Sequence, residues 1–323
     1  MNFMSLYKLL PEITEMESLA EMFPDYVSLK KLNVVKSQKY EYPIYGLVIG
    51  NQNKQVPTLG LFGAVHGLER IGTQVILSYL YQLKKRLSWD DEFKEQLKTR
   101  RIVTIPMVNP WGVATNHRCN INGVDLNRNA PVEGDGPMTP LVCGHRYSNK
   151  LPWYRGKINE AMEVEAQTMI DFVKAELFSS PVSIAVDVHS GFGMKDQIWY
   201  PYAHTNKPFP YMDQFTRLRQ LFEDTFPHHI YRFESQTAHY TINGDLWDYA
   251  VLEHFKSKNP NVFIPFTLEL GSFQWVKKNP LQLMNLFGLF NPIKPHRYSR
   301  VMRRHIFLFD FLLRAARNSK SWA

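Results

Sequence analysis

The stretch TLGLFGAVHGLERIGTQVILSYL, Thr58 to Leu80, decides how this chain is read. Its first part, Leu59 to Val65, is an apolar run with the length and character of a strand buried in a parallel sheet. A polar break follows. Ile71, Val75, Ile76 and Tyr79 then recur at three- and four-residue steps, which is one face of a helix. His66 and Glu69 therefore fall where a strand ends and a helix starts, the edge on which open α/β sheets place their ligand crevices. Three residues apart at a helix start, an imidazole and a carboxylate can converge on one metal ion. Taken alone, the pair reads more simply as a surface histidine beside a glutamate that complements the positive helix start.

The 323 residues, 44% of them hydrophobic, can bury a large core, and no linker, repeat or low-complexity tract divides them. One domain over 1–323 is expected. The net charge of +8 permits attraction to anionic partners, but no nucleic-acid motif accompanies it. The N-terminal MNFMSLYKLLPEITEMESL carries acidic residues where a signal peptide has an apolar core, and no stretch approaches membrane-spanning length. Cys119 and Cys143 are too few for a disulfide scaffold. These features lead to the expectation of a soluble cytoplasmic protein without a membrane span.

Outward from the central stretch, residues 12–22 read as a short amphipathic helix, and Tyr42 to Ile49 as a strand. The turn NQNK, 51–54, suggests that this strand forms a hairpin with the Leu59 strand. A helix over 69–86 and a charged helical segment over 89–98 lead to a buried strand, RIVTIPM, 101–107, ended by Asn109-Pro110. From Asn109 to about Lys157 the chain reads mostly as loop, too long to be only a connector. Helix resumes over 160–177, and VSIAVDV, 182–188, is a buried strand that runs into His189. A helix at 209–225, a strand at 229–234, a loop at 235–244 and a helix at 245–255 follow. The strand VFIPFTLEL, 262–270, carries Glu269 near its end. The terminal HRYSRVMRRHIFLFDFLLRAARNSK alternates basic and apolar positions at helical spacing, as a last helix packed on the sheet does. The alternation of strands and helices predicts an α/β domain with a mixed, mostly parallel central sheet flanked by helices.

Three buried strands thus lead to His66, His189 and Glu269, with Glu69 one turn after the first. Catalytic zinc commonly has three protein ligands drawn from His and Glu plus one water, and His66, Glu69 and His189 make such a set. Glu269 is then a carboxylate left beside the water, placed to take its proton. Separately, His189 can also be a core histidine and Glu269 a salt-bridged strand end.

The loop after Asn109 adds NPWGVATNHRCNINGVDLNRN, 109–129. With HGLE at 66–69, DVHSG at 187–191, YTINGDLWDY at 240–249 and TLELG at 267–271, the chain resembles the zinc carboxypeptidases of the carboxypeptidase A/B type. The landmarks keep the family's order and span about two thirds of the chain. The resemblance implies the zinc carboxypeptidase (phosphorylase/hydrolase-like) fold and one zinc per chain, held by His66, Glu69 and His189. It implies hydrolysis of a C-terminal peptide or amide bond by a zinc-bound water that Glu269 activates. By the same resemblance Asp125 accepts the other ring N–H of His66, and Arg118 stabilises the oxyanion with the metal. Asn127 and Arg128 grip the free carboxylate of a peptide substrate, and Tyr240 closes over it.

The interval from Arg118 to Asn127 is shorter than in the digestive enzymes and resembles the bacterial murein-peptide amidase branch. The floor of the specificity pocket is expected near Trp247, and the segment 130–157 has no counterpart in the resemblance. An N-acyl amino acid deacylase of the aspartoacylase type shares the HGxE and DLNR pattern, but Tyr240 with GDLWDY fits the peptidases better. A non-catalytic relative is the reading from another class, and intact Arg118 and Glu269 argue against it.

Overall fold

The computed structural model describes residues 3–136, 138–238 and 240–323. Among them, eight strands form one mixed sheet in the order β1-β2-β4-β3-β5-β8-β6-β7. The strands are β1 (Val27–Lys36), β2 (Glu41–Gly50), β3 (Thr58–Gly63), β4 (Arg101–Ile105), β5 (Val182–Phe192), β6 (Gln197–Tyr200), β7 (Arg232–Ser235) and β8 (Val262–Gly271). The four central strands β4, β3, β5 and β8 run parallel. Residues of β3, β4 and β5 up to Ser190 are buried, as expected where helices cover both faces.

The apolar runs set this centre. Leu59, Leu61 and Phe62 of β3 lie beside Ile102, Val103 and Ile105 of β4 and beside Ile184, Ala185 and Val186 of β5. Helix α1 (Arg70–Leu87) buries Ile71, Val75, Ile76, Tyr79 and Leu80, the face its spacing predicts. Helices α2 (Val164–Leu177) and α3 (Leu246–Lys256) begin at Glu163 and Asp245, and the Asp245 carboxylate accepts the N–H groups of Trp247 and Asp248.

The expected hairpin between 42–49 and the Leu59 strand does not form. β2 pairs antiparallel with β1 on one side and with β4 on the other, so β4 separates β2 from β3. The physical reason lies in the connection: Asn51 N–H donates to Arg100 O, and Arg101 N–H donates to Pro57 O. The turn's backbone groups are thus satisfied by the entrance to β4 rather than by closing a hairpin. β1 and β6 are strands that the sequence reading did not mark; β1 alternates irregularly and β6 is only four residues long.

The terminal segment forms two helices, α4 (Pro295–Arg304) and α5 (Ile306–Arg317), broken at buried His305. The Tyr231 hydroxyl lies 2.9 Å from His305 Nδ1. Leu308, Phe309, Leu312 and Leu313 are buried in the same core as β3 and β5, in agreement with a last helix on the sheet. No helix is long and apolar enough to cross a membrane among the described residues.

Candidate metal centre and active site

His66 and Glu69 lie in the turn between β3 and α1, while His189 and Glu269 are directly paired across β5 and β8. The turn is held by a close backbone approach: a Cβ on Gly67 would meet the backbone of Gly112, in NPWG, at 2.1 Å. Only glycine fits there, which ties HGLE to NPWG.

Glu69 stands between the two imidazoles. Its Oε1 lies 2.8 Å from His66 Nδ1, and its Oε2 lies 3.1 Å from His189 Nδ1 and accepts the Ser190 N–H at 2.9 Å. The imidazoles meet edge to face with centroids 5.0 Å apart. The far nitrogens each face a buried carboxylate. His66 Nε2 lies 2.9 Å from Asp125 Oδ1, and His189 Nε2 lies 2.8 Å from Asp187 Oδ2. Asp187 Oδ2 also accepts the Trp247 indole N–H at 3.0 Å. Carboxylates behind both rings fix the tautomer that leaves each Nδ1 toward the shared centre.

The electrostatics agree. Burial alone would raise Glu69, but His66 and His189 outweigh it and hold the carboxyl well below its usual range. Burial alone would lower His189, but Asp187 and Glu69 hold its imidazole protonated well above the ordinary value. Asp125 is likewise held low against burial by Arg118 and His66. A cluster this charged and this dry is costly unless its charges are paired. The facing donors of His66, Glu69 and His189 lie within 4.8 Å of one another, so the three are a possible metal site. Two imidazole nitrogens and a carboxylate are a donor set that suits zinc and leaves one position open.

The expected neighbours converge on the same cavity, of about 370 Å³, which His66, Glu69, His189, Arg118, Asn127, Arg128, Tyr240 and Glu269 line together. Arg118 donates from Nε to Asp125 Oδ2 at 2.9 Å and from Nη1 to Glu69 Oε1 at 3.4 Å. Glu269 is buried, and its Oε1 accepts the Phe192 N–H at 2.9 Å. Burial, and then the charge of Glu69, push its carboxyl up to about 8. Arg128 donates from Nη1 to Asn127 O at 3.0 Å and from Nε to Val142 O at 3.3 Å, while Asn127 Oδ1 has no partner among the described residues. The backbone beneath Arg128 is set by Gly244, at φ +73°, where a Cβ would meet Arg128 O at 1.9 Å.

The model of the zinc carboxypeptidase family matches residues 13–283. The chain belongs to the zinc carboxypeptidase family. It is accordingly a metallopeptidase, with the family's fold. No curated protein matches it significantly in sequence. Among solved structures, carboxypeptidase A from Helicoverpa armigera superposes with a TM-score of 0.66 at 18% identity, over 95% of this chain and 72% of that one. Bovine thrombin-activatable fibrinolysis inhibitor, in complex with tick carboxypeptidase inhibitor, gives 0.62 at 17% identity, over 97% and 96%. A metallo-carboxypeptidase from Pseudomonas aeruginosa, in complex with (2-guanidinoethylmercapto)succinic acid, gives 0.55 at 16%, over 95% and 68%. At these identities the likeness is one of fold.

Within the family frame, Trp247 is not the pocket floor. It is buried, packs edge-on against Phe62 at 5.0 Å, and does not line the cavity. Its indole N–H donates to Asp187, and Ile242, Thr267, Trp199 and Gln236 line the cavity. The loop 130–157 is part of the site: Val142 and Trp153 line the cavity, and Cys143 O accepts the N–H of Asn243 at 2.7 Å. Asp187 was legible as an i, i+2 neighbour facing the same way as His189 on a strand. Phe192 and Phe290 had no comparable signal.

Proposed function

We propose that this chain, as one catalytic domain over 1–323, is a zinc-dependent carboxypeptidase that hydrolyses a C-terminal peptide or amide bond. The observation that carries the reading is the pairing of Glu269 with His189 across β5 and β8. It sets a carboxylate that the trio leaves free in the same cavity as the Arg128 guanidinium. We assign one zinc ion per chain to His66, Glu69 and His189. When bound, zinc supplies Lewis-acid polarisation of the scissile carbonyl and acidifies a water.

The chain's own groups do the rest. Glu269, oriented by the Phe192 N–H, accepts a proton from the attacking water and returns it to the leaving amine. Arg118, anchored by Asp125, presents its guanidinium edge to the oxyanion. Arg128, Asn127 and Tyr240 bind the terminal carboxylate of a peptide-like substrate. Asp125 and Asp187 hold the two imidazoles in their ligating tautomer. Cys119 and Cys143 are free, in keeping with a cytoplasmic location, which we also propose.

The test is a digest of a peptide library read by mass, with chelator and after zinc is restored. Removal of single C-terminal residues, lost with chelator and regained with zinc, is expected. Internal cleavage, or cleavage of N-acyl amino acids alone, overturns the reading.

A further inference from the structure

The chain's positive charge is not spread evenly. Between Glu269 and Asp310 stand seven Lys and Arg and no Asp or Glu, while the rest of the chain is close to neutral. Much of that excess faces solvent. On α4, His296, Arg300 and Arg303 are exposed and recur at four- and three-residue steps, within an arc of about 60° on one helix face. Val301, away from that face, is buried.

The other two arginines of α4 fasten it to its neighbours. Arg304 donates from Nη1 to Asp196 Oδ2 at 3.1 Å. Arg297 donates from Nη1 to Trp275 O at 2.7 Å and to Gln282 Oε1 at 3.4 Å. The helix Phe273–Lys278 and the turn Pro280–Met284 are thereby held against α4. Lys277 and Lys278, two and three residues past Trp275, are exposed.

Folding does not account for these charges. Among the described residues, Arg304 alone of the seven has an ion pair with a carboxylate of an Asp or Glu. Glu12 and Glu15 lie on the other flank of α4, where they line a crevice with Tyr298 and Met302. Lys294 stands at the N-cap of α4, where the helix end is itself positive, so it works against the helix. Apolar side chains accompany the cations. Ile293, 47% exposed, precedes Lys294, and Leu281 and Leu283, on either side of Gln282, are 74% and 60% exposed.

A nucleic acid or an acidic protein would answer the charge alone. Exposed cations with aliphatic side chains beside them match a lipid surface, where the cations meet anionic headgroups and the aliphatics reach the acyl boundary. We infer that α4 and the end of the helix Phe273–Lys278 dock this protein peripherally on an anionic lipid surface. The inference is independent of the reaction the site performs.

Sedimentation of the full chain with vesicles tests it, using phosphatidylcholine alone or equal parts phosphatidylcholine and phosphatidylglycerol. The mixed vesicles are expected to bind at least about tenfold more tightly in low salt, and high salt should remove the difference. Arg300→Glu combined with Arg303→Glu should weaken binding by about 30-fold or more, on a scale of about fivefold for each cation lost. Lys277→Glu combined with Lys278→Glu carries the same expectation on a separate helix. An unchanged unfolding midpoint shows that a variant is folded, and if one pair fails to fold the other decides. Equal binding to both vesicles, or folded variants that bind as the wild type does, overturns the inference. So does binding to neither vesicle, and retention on duplex DNA or on polyglutamate would then give the face to a nucleic acid or an acidic protein.

Discussion

Asp187 and His189, two residues apart on β5, face the same side, and Asp187 Oδ2 lies 2.8 Å from His189 Nε2. The same oxygen accepts the Trp247 indole N–H. The motif DVHSG thus carries its own orienting carboxylate, and an aromatic from GDLWDY fixes that carboxylate in turn.

Asp187→Asn should lower zinc affinity about 10- to 100-fold, the range for groups that orient a ligating histidine. Trp247→Phe, which keeps the ring and loses the N–H, should lower it less. Competition against a calibrated chelator checks both, and an unchanged affinity for Asp187→Asn would detach Asp187 from the metal.

Zinc loading should release protons at pH 7. In the metal-free site His189 is held as a cation and Glu269 is pushed up to about 8, so both are protonated there. A metal ion needs a neutral His189 and favours an anionic Glu269. Affinity should therefore fall as pH drops below about 8. Calorimetry in buffers of different ionisation enthalpy reads the count, with at least one proton expected.

Glu269→Gln should keep zinc and substrate affinity and lose turnover by about two to four decades, the scale of a positioned acid/base. Metal analysis alongside kinetics separates the roles, since lost zinc would make Glu269 a ligand.

Gly244→Ala should raise KM for substrates with a free carboxylate and destabilise the fold. A side chain at φ +73° costs about 1–2 kcal/mol by itself. The clash with Arg128 O adds to it and displaces the clamp. Thermal unfolding and KM are the measurements.

Much of this was legible where chemistry and periodicity coincide. The run Leu59–Val65 and the helical face from Ile71 placed His66 and Glu69, and the apolar 182–188 and 262–270 placed His189 and Glu269. The family motifs brought Arg118, Asn127, Arg128 and Tyr240 to the cavity. What escaped depended on contacts distant in sequence. β4 intervenes between β2 and β3 because the 51–57 turn bonds to Arg100 and Arg101. Trp247 turns inward because Asp187 accepts its N–H, and Val142 and Trp153 reach the site from a loop without periodicity.

The central claim is that Arg128, Asn127 and Tyr240 hold a free carboxylate while the metal trio faces the bond before it. The most direct measurement is the rate on two peptides that differ only at the terminus, one acid and one amide, read by mass. An amide leaves the guanidinium without its charge partner at a cost of about 2–5 kcal/mol. The acid should thus be cleaved at least about 30-fold more efficiently, with the gap narrowed in Arg128→Ala. Equal rates on acid and amide would contradict the account.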